Sequence, residues 1–195
     1  MITRKTKLVH ILEGFTGGLA TYMCAVLPEL VREGFDVTLI CSLGRMGSGT
    51  LARISALRGA GVTVHIVSMQ REIKLLADMR SLRCIMSILS QGRFDVVHTH
   101  CSKAGALGRI AAILTGHRVI LHSPHCFAFL RCKGWSRKFL YRNLERLLGI
   151  LTSRLIAVSL SEAHVATRLR IVPQRKCVVV NNALTMINRS LKSKV

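Results

Sequence analysis

Acidic residues are scarce in this sequence: 9 Asp and Glu stand against 29 Lys and Arg among 195 residues, a formal charge of +20. A chain this cationic repels itself and attracts polyanions. Nucleic acid, anionic lipid headgroups, phosphorylated carriers and an acidic partner domain are all candidates, and a genome with a basic bias is the bland alternative. Aromatic residues are also few, at 5 %, and they are not interleaved with the basic ones. Stacking platforms for single strands are therefore poor, and no helix-turn-helix, zinc-finger or RNP pattern occurs, so nucleic acid is set aside. Proline numbers only 3 and the glycines are dispersed, which leaves no low-complexity linker. No apolar run reaches the ~18 residues of a membrane span. The basic start, Met1 to Lys7, is followed by only Leu8 to Leu12 before Glu13, too short for a secretory signal. Membrane contact is therefore expected to be peripheral, on the cytoplasmic face. The 7 cysteines form no CxxC pair, and Cys24, Cys41 and Cys84 lie in apolar runs. That predicts reduced, buried thiols of a cytosolic protein.

What is present is a regular alternation, in a chain that is 50 % hydrophobic and long enough for one domain. Short β-type runs are predicted at 8–12, 37–41, 62–67, 96–100, 119–122, 155–158 and 177–180. Helical periodicity fills the intervals at 20–33, 51–58, 73–90, 104–114, 136–151 and 161–169. Such alternation implies an α/β fold: a Rossmann-like parallel sheet of about seven strands with helices on both faces. Ligands then bind beyond the carboxyl ends of the strands, which points to Glu13–Gly18, Cys41–Gly49, His100–Lys103 and Ser123–Phe127. Residues 183–195 lack a core pattern and read as the start of a linker or a frayed tail, with 1–182 as the domain.

Gly14-Phe-Thr-Gly17-Gly18 joins the first strand to the first helix. Adjacent glycines let a ligand approach the backbone, and the helix start offers N–H groups and a positive dipole end to a phosphate. A steric need for glycine at a tight turn is the competing explanation. The dinucleotide fingerprint GxGxxG is absent, the second strand ends Ile40-Cys41-Ser42 without the ribose-binding acid, and no P-loop occurs. This disfavours a nicotinamide-dependent oxidoreductase and a P-loop ATPase. His98 and His100 share one strand face, with His122 and His125 at the neighbouring strand end. Four imidazoles near adjacent strand ends could in principle bind zinc, but no Cys or carboxylate with ligand spacing completes the set, so no metal is expected: some are packed and hydrogen-bonded, and one faces the cleft. Ser102 is predicted to cap the fourth-strand helix, with Lys103 either meeting an anionic substrate or solvated. Lys138, Arg142 and Arg146, at i, i+4 and i+8, stack on one side of a helix whose other side carries Phe139, Leu140, Leu144, Leu147, Leu148 and Leu151. The expectation is a basic face toward an anionic membrane surface, against the alternative of an ordinary solvated face.

In combination these stretches resemble the N-terminal domain of the family 4 glycosyltransferases, retaining enzymes with two Rossmann units in the GT-B arrangement. The resemblance rests on Lys7 to Gly18, Phe94 to Ala112, His122-Ser-Pro-His-Cys-Phe-Ala-Phe129, Leu144 to Leu148, Ile156 to Glu162 and Lys176 to Asn182. It implies transfer of a sugar from a nucleotide-sugar to a hydroxyl acceptor, a sugar or a lipid-linked one, without metal ion or cofactor. It also implies that Gly17 and Gly18 lie by the donor diphosphate, that His125 faces the transferred sugar as the catalytic-site imidazole, and that Ser102 and Lys103 line the acceptor side. Two departures stand out: Cys126 where the family has Gly after the second His, and Asn181-Asn182 where it has Asn-Gly.

The family's second Rossmann unit, with its paired glutamates and its basic clamp for the leaving diphosphate, does not follow Asn182. Little or no transferase activity is therefore expected of this chain alone. Two functional readings remain. One is the acceptor-side half of a transferase in polysaccharide or glycolipid synthesis, working with a donor domain that could be a separate chain. The other is a non-catalytic module that holds an acceptor or a membrane.

Overall fold

The computed structural model describes residues 4–44, 47, 49–70 and 72–181. The predicted tail at 183–195 and parts of the predicted 44–49 loop lie outside the described residues.

Seven parallel strands form one sheet: β1 (Lys7–Leu12), β2 (Asp36–Cys41), β3 (Thr63–Ile66), β4 (Val96–His100), β5 (Ile120–Ser123), β6 (Arg154–Ala157) and β7 (Cys177–Val179). The helices between them are α1 (Gly17–Arg32), α2 (Thr50–Gly59), α3 (Leu75–Gly92), α4 (Ser102–Leu114), α5 (Ala128–Arg131), α6 (Trp135–Ile150) and α7 (Leu160–Arg168). Every predicted strand and helix is found, with ends displaced by three residues or fewer. The short α5 and a 3-10 turn at Gln174–Lys176 were not predicted, since a single turn is too short to show a period.

The strand order is β3-β2-β1-β4-β5-β6-β7. The chain starts in the middle, winds outward to β3, then returns to β4 on the far side of β1. The switch point, where ligands of open parallel sheets bind, is therefore between β1 and β4. The strands at the centre are apolar almost throughout because both faces are covered. Val9, Ile11, Val97 and Ile120 pack with Ile85 and Leu89 of α3 and Leu107 and Ala111 of α4. Leu12, Leu39 and Cys41 pack with Met23 and Leu27 of α1 and with Ile54 and Leu57 of α2. A third cluster joins Phe127 and Phe129 to Leu155, Ala157 and Ala166. Cys41 is buried as expected, whereas Cys84 is exposed and Cys24 is half-buried. The apolar run around Cys84 is a helix, and the cysteine falls outside the side that packs on the sheet.

The start of α7 shows how local sequence fixes a boundary. Ser159 Oγ accepts the Glu162 N–H at 3.2 Å, the Ser-x-x-Glu pattern of a helix start. The Glu162 carboxylate does not close back on Ser159. One oxygen accepts the Val158 N–H at 2.9 Å, and the other reaches the loop after β5.

Candidate functional site

At the carboxyl end of β1 the chain enters α1 through Gly17, whose φ is +59, a left-handed conformation that favours glycine. Gly17 and Gly18 are exposed, and a Cβ placed on either would meet nothing within 4 Å. Among the described residues, nothing closes over this turn. Thr16, the N-cap, makes no side-chain cap, and no acid lies in the first turn. Thr16 therefore leaves the leading N–H groups of α1 without its side-chain cap, which suits this end to an anion.

At the end of β5 the backbone turns sharply. His125 (φ 48) and Cys126 (φ 81) are both left-handed, a strained pair for residues with a Cβ. Glu162 Oε1 holds the turn by accepting the Cys126 N–H at 2.7 Å. The His125 ring is half-buried, stacked on His100 at 5.2 Å and edge-on to Tyr22 of α1 at 5.9 Å. Tyr22 lies five residues beyond Gly17, so one helix turn links the open glycines to the imidazole. The two segments border one rim at the switch point.

Behind His125 the sheet carries a file of imidazoles. The register pairs His10 of β1 with His98 of β4, so both lie on the same face together with His100. His10 Nδ1 meets His100 Nε2 at 2.9 Å, and His100 Nδ1 meets His125 Nε2 at 3.0 Å. His98 Nε2 bonds Ser123 Oγ at 2.9 Å. Burial lowers the pKa of His10 to about 4 and that of His125 to about 4. His98 and His100 fall well below the ordinary value through burial first, then through the neighbouring imidazoles. All four are neutral at pH 7. The expected division is seen: His98, His100 and His122 are packed, and His125 reaches the rim. The imidazoles that draw together are nevertheless His10, His98 and His100, with ligand atoms within 4.8 Å. His10 was missed because strand register brings it there, and no spacing within one segment shows register.

His122 points to the opposite face. Its Nδ1 bonds Thr99 Oγ1 at 3.0 Å, and burial followed by the Arg109 charge lowers its pKa. A Cβ on Gly105 would fall 2.5 Å from the His122 ring, so α4 can lie this close only with glycine at that position. Arg109, fully buried, donates to Glu145 at 2.9 Å and to the Gly105 carbonyl at 2.8 Å, tying α4 to α6. No local pattern around either residue announces this pair, because the two lie 36 residues apart.

Other expectations are revised. Ser102 is the first residue of α4, and the N-cap is Cys101. Lys103 is neither solvated nor unpaired: it is 9 % exposed and its Nζ sits 2.5 Å from Asp78 of α3. On α6 the expected arrangement holds only in part. Arg146 turns inward, its Nε donating to the Leu169 carbonyl at 2.9 Å, and Arg142 lies 5.7 Å from the Phe139 ring centre. Of the three cations expected to face a membrane, Lys138 alone is exposed. Part of the apolar side faces outward, with Trp135 (79 %), Phe139, Leu140, Leu147 and Ile150 (72 %) uncovered, while Leu148 is buried and Leu144 and Leu151 are half-buried. Periodicity shows that a helix has two sides but not which one meets the sheet. A surface hollow of about 360 Å³ lined by Phe94, Asp95, Thr115 and Arg118 lies at the amino ends of the strands, away from these groups.

The model of the glycosyl transferase 4-like domain matches residues 17–183, taking in the α1 start, the β4 and β5 ends and Glu162. The chain belongs to this family. Over 183 residues, 93 % of the chain, this glycosyl transferase 4-like domain is 32 % identical to a UDP-Gal:alpha-D-GlcNAc-diphosphoundecaprenol alpha-1,3-galactosyltransferase of Escherichia coli, covering 46 % of that enzyme. Among solved structures it is similar to a glycosyltransferase from Rickettsia africae, with a TM-score of 0.65 at 17 % identity over 91 % of this chain and 43 % of that one. It is also similar to the UDP-N-acetylglucosamine 2-epimerase of Rickettsia bellii, with a TM-score of 0.63 at 13 % identity over 92 % of this chain and 45 % of that one. At such identities the structural likeness establishes the Rossmann-like fold of GT-B enzymes, which transferases and epimerases share. The chain spans about half the length of the curated relatives it matches.

Proposed function

We propose that this chain is the acceptor-side half of a glycosyltransferase that moves a sugar from a nucleotide-sugar to a hydroxyl of a lipid-linked acceptor in polysaccharide or glycolipid synthesis. One observation carries the proposal: an unobstructed glycine turn at an uncapped helix start and a neutral imidazole share one rim at the switch point, bridged by Tyr22. The α1 start receives the donor diphosphate through backbone N–H groups. His125 meets the hexose by hydrogen bonding. Ser102 opens α4 on the acceptor side, where Lys103 braces α4 against α3 through Asp78. No metal or cofactor takes part in this reading. The leaving diphosphate needs a second lobe to neutralise it, so the chain alone turns over slowly or not at all. The name of the Escherichia coli relative supports a UDP-sugar as donor and a diphosphoundecaprenol-linked acceptor.

Amide NMR of the chain titrated with a UDP-sugar and with a short polyprenyl-diphosphate sugar tests the assignment. Shifts are expected at 14–18 and at His125. Silence there with both ligands overturns it, and robust turnover by the isolated chain overturns the need for a second lobe. Activity restored by a separately supplied donor domain would exclude a non-catalytic module.

Peripheral membrane contact is a second reading, carried by the uncovered apolar side of α6 and by Leu75 and Leu76 of α3, 73 % and 74 % exposed. Arg131, Lys133, Arg137 and Lys138 are exposed around the α6 start. Apolar insertion bordered by cations suits an anionic bilayer. No helix among the described residues is long and apolar enough to cross one. Co-sedimentation with phosphatidylglycerol vesicles is expected to fall with salt and to be lost in Trp135→Ser/Leu147→Ser. Binding unchanged by both treatments counts against this contact.

A further inference from the structure

We propose that His10, His100 and His125 act as one hydrogen-bonded imidazole chain that places the His125 proton on Nδ1, so that His125 offers the rim a donor rather than a bare lone pair. The inference rests on the reading of His125 as the ligand-facing group and adds what that group presents.

The two bonds leave little freedom. Both run from an Nδ1 to an Nε2, at 2.9 Å between His10 and His100 and at 3.0 Å between His100 and His125. A neutral imidazole has one N–H and one lone pair. His100 uses both nitrogens, so if it donates at one it must accept at the other, and the polarity of the file reverses only as a unit. In one polarity, His125 Nε2–H donates to His100, His100 Nε2–H donates to His10, and His10 is left with an N–H on its own Nε2. In the other, His10 Nδ1–H donates to His100, His100 Nδ1–H donates to His125, and the His125 proton sits on Nδ1.

The inner end of the file decides between them. His10 Nε2 is buried and has no hydrogen-bond partner among the described residues. A buried, unpaired N–H is rarer in proteins than an under-used acceptor. The second polarity puts a lone pair at that position, so it is the favoured one. A doubly protonated ring in the file would break the argument, and burial opposes it at all three histidines. His98, bonded to Ser123 and with its ring centre 4.1 Å from that of His100, flanks the file without belonging to it. His10 and His100 are thus positioning residues for His125. They touch no ligand but decide which kind of hydrogen bond the ligand meets.

Long-range ¹H–¹⁵N NMR of the ligand-free, ¹⁵N-histidine chain at pH 7 tests this. Nδ1 of His125 is expected to resonate as a pyrrole-type nitrogen and Nε2 as a pyridine-type one, the reverse of the tautomer a solvated neutral imidazole prefers. A pyrrole-type Nε2 overturns the proposal. His100→Phe cuts the file beside His125, and the two His125 resonances are expected to shift toward the solvated pattern. His10→Phe only moves the unpaired buried nitrogen to His100 Nε2, and the same preference for a lone pair there is expected to keep the His125 proton on Nδ1. If His100→Phe keeps its circular dichroism and leaves the His125 tautomer unchanged, the file does not set it. Stoichiometric zinc bound by His10, His98 and His100 would also overturn it, because the metal takes the lone pairs that the file uses. All of these readouts need no ligand. A failed tautomer prediction thus leaves the transferase reading standing, and ligand silence at 14–18 and His125 would sink that reading while the tautomer result stands.

Discussion

Two buried polar clusters lie back to back across β4 and β5, and they differ in every respect but burial. On one face, His10, His98 and His100 are neutral, bond mainly to each other and to Ser123, and run outward to His125 at the carboxyl rim. On the other, Arg109 and Glu145 are charged and lie between α4 and α6, with Thr152 and the Gly105 carbonyl completing the set. The charged cluster holds two helices together. The neutral one ends where ligands of parallel sheets bind. Chemical richness alone would have favoured the ion pair as the site; position relative to the strand ends reverses that choice.

Acid should break this contrast most strongly. The folded pKa values of the imidazoles lie below the 6.5 of the unfolded chain. Below pH 6.5 the unfolded state therefore binds more protons, so stability is intact above that pH and is lost as the pH falls toward about 4. Each buried histidine contributes a slope of up to about 1.4 kcal/mol per pH unit. Urea unfolding at pH 7, 6 and 5 should show a fall of several kcal/mol, and a flat profile would mean that the histidines are not buried as described.

Glu145→Ala attacks the other cluster. It leaves the Arg109 guanidinium buried without its partner, at a cost of about 3–5 kcal/mol in chemical denaturation. Arg109→Met/Glu145→Leu should recover most of that loss. A single variant as stable as the parent would show that the pair is not a staple.

Glu162→Ala probes the link between α7 and the His125 turn. It removes the acceptor for the Cys126 and Val158 N–H groups, costing about 1–3 kcal/mol, and should speed amide hydrogen exchange at Cys126. Unchanged exchange there would mean that the turn holds itself.

The smallest effect is a gain. Cys126→Gly relieves a left-handed residue at φ 81 and should stabilise by ~1 kcal/mol, read as a raised urea midpoint. A loss would place the cysteine side chain in a packing role.

The segments that could be read from the chain itself were those with a local cause. Alternating apolar runs, long enough to show a period, located all seven strands and the six longer helices. The glycines at 17 and 18 and the His122-Ser-Pro-His125 turn marked the rim because ligand-binding loops follow strand ends. The partners of those residues were not legible. His10 joins His100, Glu162 reaches Cys126, Lys103 meets Asp78 and Arg109 finds Glu145 across separations of 25 to 90 residues.

The sequence by itself thus determined the alternation of elements, the parallel sheet and the positions of its ligand-facing loops. These follow from side-chain period and backbone propensity, which act over a few residues. Tertiary structure alone decided which face of α6 is uncovered, which imidazoles touch, and which cations are already spoken for. Those outcomes depend on strand order and register, and both are set by packing the whole chain around one core.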